Sequence, residues 1–345
     1  MKNQINFLSI CLLFAIITFT SCEEIMVGEV IENTPEKNFQ SMWDKFDSHY
    51  GLFLVKNIDW NAVHASHLPL AKLAKTDLEL FNVLTSAVSI LNDQHVNIIT
   101  TNSSLADYNS GHNGHFQTQE DFLLKVVKDN YLTEYHEEND FLVYGKLPED
   151  IGYIYISHYG YNISDYKKSM DKALIALAST KKIIFDIRDH TGGKDNVSKY
   201  IAGRFATSKK LFMTSKKRNG PAHNDFEAML HWYVEPEGES QYTKPVILLT
   251  TSHSISAAET FTFAMRENDN VTHMGETTAG AFSDLIMYQL PNSWICTVSV
   301  GDYRGSDGKS YEGIGITPHV YSKNLKADVL AGVDKTLEMA INYQK

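Results

Sequence analysis

The chain has 345 residues, 43% of them apolar and 21% charged, enough to bury a hydrophobic core and too apolar for a disordered chain. Its 31 Lys and Arg against 42 Asp and Glu give a formal charge of -11, which leaves no basic surplus for a phosphate backbone and argues against nucleic acid as a partner. Cys11 and Cys22 both precede the body of the chain, where only Cys296 remains, so an intramolecular disulfide there is excluded.

Residues 1–22 have the layout of an export signal. Lys2 is a basic start, Ile5 to Phe19 is an apolar run shorter than the roughly 20 residues of a membrane span, and Phe19-Thr20-Ser21-Cys22 closes it with small residues before a cysteine. The segment resembles a bacterial lipoprotein signal, which implies lipidation at Cys22 and an N-terminal anchor in the membrane of the cell envelope, periplasmic or surface-facing. Phe19 stands where that pattern usually has Leu. An ordinary secretory peptide with an incidental cysteine is the alternative. Residues 23–36 read as an acidic tether, and no later apolar run is long enough to cross a bilayer.

From Glu36 to Ile90 apolar residues recur at helical spacing (Phe39, Met42, Trp43, Phe46; then Leu78, Phe81, Leu84, Val88), broken at Tyr50-Gly51. This predicts a small helical lobe over residues 37–125, whose end, from 101 to 120, is a polar, glycine-containing connection. Residues 126–345 form the second unit. Strand-like runs at Tyr131–Tyr135, Phe141–Tyr144 and Ile151–Ser157 lead into alternation: helix over Tyr166–Ala178, strand Lys182–Asp186, helix Asn196–Phe205, strand Pro245–Thr250, helix Ala257–Arg266. Such alternation predicts an α/β core with sites at the strand carboxyl ends. After Gly275 the chain is strand-rich, and Val329–Tyr343 supplies a terminal helix.

Two of these strand ends carry chemistry. The run Ile183 to Arg188 enters Asp189-His190-Thr191-Gly192-Gly193, a turn that can aim backbone N–H groups at a developing oxyanion or serve only as a turn. The strand Val246 to Thr250 ends in Thr251-Ser252-His253-Ser254-Ile255-Ser256 and opens a helix. Ser256 then has its hydroxyl at a helix N-terminus, where the dipole favours negative charge. Ser256-Ala257-Ala258-Glu259 also fits a capping box, in which the hydroxyl is structural.

In combination these segments resemble the tail-specific, or C-terminal processing, serine peptidase family. The matching pieces are Asp186-x-Arg188-x-x-x-Gly192-Gly193, Ser254-x-Ser256-Ala257-x-Glu259, Gly275-Glu276-Thr277-Thr278-x-Gly280 and Glu312-Gly313-x-Gly315-x-x-Pro318, in the family's order over roughly residues 150 to 320. Leu91-Asn92-Asp93-Gln94-His95 is similar to the family's Asp-x-His segment. The resemblance implies a crotonase/Clp-protease-like α/β core preceded by a small N-terminal helical lobe, with no PDZ domain evident. In one branch a lysine follows the Gly-Glu-x-Thr-x-Gly motif and activates the serine. Ala281 occupies that place, and a methyl cannot accept a proton.

The tricorn-like branch instead implies Ser256 as nucleophile, His95 as general base and Glu312 as the orienting carboxylate, with an oxyanion hole from Ala257 and from Gly192 or Gly193. No cofactor is required. The implied activity is a serine endopeptidase acting on peptides or unfolded proteins. Asp186 and Arg188 read as a structural ion pair. His190 stands where the family commonly has Asn, and His319 follows Pro318 where Asp is common. The pairs His64/His67 and His112/His115 lack the Cys or convergent carboxylates of a metal site. A catalytically silent protein of the same fold, holding an apolar ligand or a peptide, is the second possibility. A crotonase-type acyl-CoA enzyme is the third, though no basic cluster near the glycine turn suits CoA phosphates.

Overall fold

The computed structural model describes residues 32–111 and 119–344. The export signal with Cys22, the tether up to residue 31 and the His112/His115 pair lie outside the described residues. In chain order the elements are helices α1 (Pro35–His49), α2 (Phe53–Lys56), α3 (Trp60–Leu73) and α4 (Asp77–Ser89), strands β1 (Asn97–Ile99) and β2 (Tyr108–Asn109), helix α5 (Leu124–Asn130), and strands β3 (Glu134–Glu138), β4 (Leu142–Leu147) and β5 (Ile151–Ile156). There follow α6 (Ile163–Ala176), β6 (Lys182–Asp186), α7 (Asp195–Gly203), β7 (Lys210–Lys217), β8 (Leu230–Val234), β9 (Val246–Thr250) and α8 (Ala257–Arg266). The chain ends in β10 (Val271–Gly275), β11 (Leu285–Gln289), β12 (Ile295–Ser299), β13 (Gly301–Gly305), β14 (Val320–Tyr321), α9 (Lys326–Leu330) and α10 (Lys335–Asn342).

Helix starts follow local chemistry. Thr34 caps α1 by accepting the Lys37 amide at 3.2 Å, with Pro35 in the first turn, and Thr76 and Glu79 form a reciprocal capping box on α4. Pro35 and Glu36, assigned to the tether from sequence, already belong to α1. The lobe is not helical alone. Its core joins Phe39, Met42, Phe46, Trp60, Leu84 and Val88 to Leu290, Trp294, Cys296 and Val298, because an antiparallel sheet in the order β11-β12-β1-β2 closes it. Residues 285–299 thus return from the second unit to complete the first.

The central sheet runs β14-β10-β9-β6-β5-β4-β3, parallel from β14 to β5 and antiparallel beyond. One face packs Ile183, Phe185 and Leu248 against residues of α6, α7 and α8, and the other packs Ile184, Ile247 and Leu249 against Val127, Leu337 and Ala340. Strands β6 and β9 are buried on both faces, which is why they read as unbroken apolar runs. A third sheet, β13-β7-β8, flanks α8. The expected terminal helix is two, because Gly332 at φ 83° ends the first and Asp334 caps the second.

Just beyond β6 the fold is fastened by charge. Arg188, 1% exposed, places its guanidinium on both Asp186 (2.7 Å) and Asp334 (2.8 Å). Tyr153 donates to Asp186 at 2.8 Å, and Asn324 and the Leu337 amide donate to Asp334 at 2.9 Å. Every charge is therefore compensated, the condition under which burial of ions is tolerated. Removing Asp334 leaves Arg188 paired with Asp186 alone and takes the acceptor from Asn324 and from the Leu337 amide. Asp334→Ala should destabilise the protein by about 1 to 3 kcal/mol, read as a lowered midpoint in urea unfolding; an unmoved midpoint would show that this network is not the fastening.

Candidate active site

The chain leaves β9 at Thr250 and reaches α8 through three serines, of which Ser254 and Ser256 have contrasting surroundings. Ser254 is buried, its Oγ donates to the Ile187 carbonyl at 2.7 Å and accepts the Thr251 amide at 3.1 Å, so it holds the β6 and β9 ends together. Ser256 is half-buried and has φ 62° and ψ -122°, in a region that costs a non-glycine residue about 1 to 3 kcal/mol. A serine strained at a strand-to-helix turn presents its hydroxyl at the top of the sheet, by the helix N-terminus.

The capping box expected here is built mainly by its acid. Glu259 is fully buried and accepts from Thr278 Oγ1 (2.6 Å), the Gly280 amide (2.6 Å), the Ala281 amide (2.8 Å) and the Ser256 amide (3.2 Å), while its own amide donates to the Ser256 carbonyl at 2.7 Å. Burial pushes the Glu259 carboxyl up to about 7 against these donors. Ala281, in the place of the dyad lysine, is buried and contributes only this amide.

The paired-glycine turn lies directly against Ser256. A Cβ on Gly192, at φ 85°, would stand 2.7 Å from Ser256 Cβ, and one on Gly193 would stand 2.5 Å from the Tyr159 carbonyl carbon. Tyr159 clamps the turn, its amide on the Gly192 carbonyl (2.7 Å) and its carbonyl on the Lys194 amide (2.9 Å). The Gly192 amide itself is taken by His190 Nδ1 at 3.0 Å. Of the two candidate glycine donors, Gly193 is therefore the one left open, beside Ala257 at the first position of α8. His190, in the place of the family's Asn, holds the turn. Burial drives its pKa down to about 3, so the ring is neutral and Nδ1 can accept.

His95 arrives from the other lobe on the loop after α4. Asp93 shapes this loop, accepting the His95 amide at 2.9 Å and the Tyr50 hydroxyl at 3.0 Å, and Gln94 reaches across to the Ala279 carbonyl at 2.7 Å. His95 is 7% exposed and its Nδ1 is buried without a hydrogen-bond partner. Burial lowers its pKa, opposed by Asp93, Asp284 and the Ser283 backbone. Glu312 accepts the Phe282 amide at 2.9 Å on one oxygen, and its other oxygen is buried and unpartnered. Burial first, then Asp93, hold the Glu312 carboxyl well above the usual range, with the Phe282 amide and Lys56 opposing.

The short stretch from Gly280 to Asp284 thus touches Glu259, Glu312 and His95. Its amides hold Glu259 behind Ser256 and Glu312 behind the cleft, and Ser283 and Asp284 face His95. Glu259, Asp93 and Asp284 were not assigned to the site from sequence; Glu259 and Asp93 stood within recognised motifs, Asp284 in none. His319 stands away at the sheet edge, its backbone and ring both bonded to His273 of β10. His64 bonds Gln40 at 2.9 Å, and His67 bonds the Val63 carbonyl at 2.9 Å.

Comparison with known proteins matches peptidase family S41 over residues 150–322 and the tricorn protease C1 domain over residues 31–89. The carboxy-terminal processing protease CtpA of Bacillus subtilis is 25% identical over 181 residues, 52% of this chain and 36% of the relative, so the chain spans about a third of that relative's length. A peptidase structure from Parabacteroides merdae superposes with a TM-score of 0.76 at 27% identity, covering 90% of this chain and 96% of that one. Mature CPAF complexed with lactacystin does so with a TM-score of 0.68 at 11% identity, covering 89% and 97%, a likeness of fold.

The contact between the glycine turn and the serine yields a test. Gly192→Ala adds a methyl where Ser256 Cβ already stands and forces alanine to a positive φ. It should slow labelling of Ser256 by a fluorophosphonate about a hundredfold or more, in the range of losing an oxyanion donor, with the circular dichroism of the fold retained. Undiminished labelling would show that the turn does not shape the site.

Proposed function

The chain belongs to peptidase family S41, and from that premise we propose that it is a serine endopeptidase cutting peptides or unfolded proteins in the bacterial cell envelope through an acyl-enzyme. The observation that carries this is the strained Ser256 at the start of α8, with the glycine turn packed on its side chain. Ser256 Oγ attacks the scissile carbonyl carbon while His95 takes its proton, and the carbonyl oxygen gains charge opposite the Ala257 and Gly193 amides. His95 then returns the proton to the leaving amine. Water, deprotonated by the same imidazole, releases the acyl group and restores Ser256.

Electrostatics supports these roles. An imidazole whose pKa is lowered by burial is neutral, hence a competent base, into mildly acidic solution. Asp93 and Asp284 stabilise the imidazolium when it forms. Glu312, whose ionisation burial opposes, serves as an orienting hydrogen-bonding partner with one unpartnered oxygen.

Ser256→Ala should abolish both fluorophosphonate labelling and casein hydrolysis without unfolding the chain; labelling at Ser252 or Ser254 instead would overturn the nucleophile. His95→Ala should lower kcat/KM by about a hundredfold or more. Because the neutral ring is the active form and burial lowers its pKa from 6.5, the acid limb of kcat/KM should have its midpoint below 6.5, and a midpoint above it would remove His95 from the role. If neither variant matters and no peptide is cut, a silent binding protein replaces the enzyme. The anchor is tested separately. In a Gram-negative host the protein should take up labelled palmitate in the membrane fraction and lose it in Cys22→Ser, whereas unmodified protein in the soluble periplasm would indicate an ordinary signal peptide.

A further inference from the structure

The helices of the first lobe have two ends, and one of them serves the site. At the inner end α1 delivers Tyr50, whose hydroxyl donates to Asp93 at 3.0 Å, and α4 runs out toward the loop that carries His95. At the outer end α1 begins, α3 stops and α4 starts, with Ala74, Lys75 and Thr76 as the whole connection between the last two. Lys72 in the last turn of α3 pairs with Glu36 in the first turn of α1 at 3.3 Å, the Asn292 amide in the turn between β11 and β12 donates to Asn38 at 2.9 Å, and Asn102 donates to Asp77 at 3.0 Å. These contacts gather the outer end into one surface.

That surface carries exposed apolar side chains. Leu70 and Leu73, three apart and so on one face of α3, are 50% and 72% exposed, and Leu78 in the first turn of α4 is 54% exposed. A single exposed leucine is ordinary, but three on two helix ends joined by three residues make a patch. What covers it follows from where the chain enters the lobe. Twelve residues separate Cys22 from Pro35, the first residue of α1, and they span at most about 40 Å. An anchor at Cys22 therefore attaches to the lobe at the leucine-bearing end. It holds that end at a high local concentration of bilayer, where a weak apolar contact is enough to persist. The acids of the tether, Glu23, Glu24, Glu29 and Glu32, oppose attraction to an anionic surface, so the apolar contact has to do the holding.

Resting on the lipid-anchor reading, we propose that Leu70, Leu73 and Leu78 dip into the bilayer that holds the Cys22 anchor, so that the first lobe stands on the membrane with its inner end raised. Helices of 15 and 13 residues are about 20 Å long, which sets the His95 loop about that far above the lipid. An extended chain of about six or more residues leaving the bilayer reaches that height. The substrates this stance favours are polypeptides that are themselves attached to the membrane or emerging from it.

The test reconstitutes the full lipidated chain in vesicles of phosphatidylethanolamine and phosphatidylglycerol that contain brominated lipid. An environment-sensitive fluorophore on Lys75→Cys reports on the patch, and the same label on Ile175→Cys, at a 78% exposed position of α6 in the second unit, is the reference; Cys296 is buried and does not compete for it. Brominated lipid should quench the label at position 75 at least about twofold more than the label at position 175, as expected for a group seated at the headgroup and acyl boundary. Adding Leu70→Ser, Leu73→Ser and Leu78→Ser, all at exposed positions outside the core, should bring the two to equality. Equal quenching with the leucines in place, or excess quenching that survives the three serines, would overturn the docking while leaving the anchor intact. A chain that takes up no palmitate and does not sediment with the vesicles would overturn the anchor, and the docking with it.

Discussion

The buried carboxyl of Glu259 is the point on which the rest of the site depends. Two backbone amides from the Gly280 loop, one hydroxyl and the amide of Ser256 converge on it, so the position of the serine and the course of the loop are set by the same two oxygens. A carboxyl gathering four donors offsets the strain of a positive φ at Ser256, which local propensity alone would not sustain. The loop it holds then packs against the segment carrying Glu312 with no room for side chains. A Cβ on Gly315 would stand 2.1 Å from the Thr278 carbonyl oxygen, and the Gly313 amide donates to the Gly280 carbonyl at 2.7 Å. The motifs that lie far apart in the chain are thus the consecutive layers of one contact.

The same enclosure decides the protonation states. Glu259 and Glu312 are both raised by burial, and Glu259 adds to the reluctance of Glu312 to ionise. A site that kept both as anions beside Asp93 would have to pair three buried charges, and Lys56 is the cation acting on Glu312. Burial thus opposes ionisation of both glutamates, while Asp93 and Asp284 act on the His95 ring. His190 follows the same logic with the opposite sign: a neutral ring can accept the Gly192 amide, and an imidazolium there could not.

Much of this was legible in the sequence where local pattern and tertiary role coincide. β6 and β9, buried on both faces, are apolar without interruption, and α8 runs over the residues its periodicity marked. Legibility failed where the partner is distant. β1 and β2 have three and two residues, too few to show alternation, and exist because β12 lies beside β1. β7 begins and ends in lysines, and its pairing with β13 explains it better than its composition does. The ion pair Asp186–Arg188 was readable from spacing, but Asp334, which completes it, comes from a residue 146 positions away. Glu259 was visible as a helix cap and a motif residue but not as the anchor of the Gly280 loop, since nothing local says that this loop will return to it.

Distance also marks the placement of His95, the base in the proposed mechanism, since Ala281 stands where a lysine would. A base supplied from the same loop as Ala281 would be fixed to the serine by a few bonds, whereas His95 has to be brought across a boundary between lobes. Three contacts do this: Gln94 on the Ala279 carbonyl, Thr297 on the His95 carbonyl, and the return of β11 and β12 into the first lobe. The stretch from Ala279 to Ser299 therefore belongs to both lobes, bonding Glu259 at its start and pairing with β1 at its end. Any motion that parted the lobes would have to break this stretch from one side or the other, so the placement of Ser256 and His95 is tied to the integrity of the whole fold rather than to a hinge.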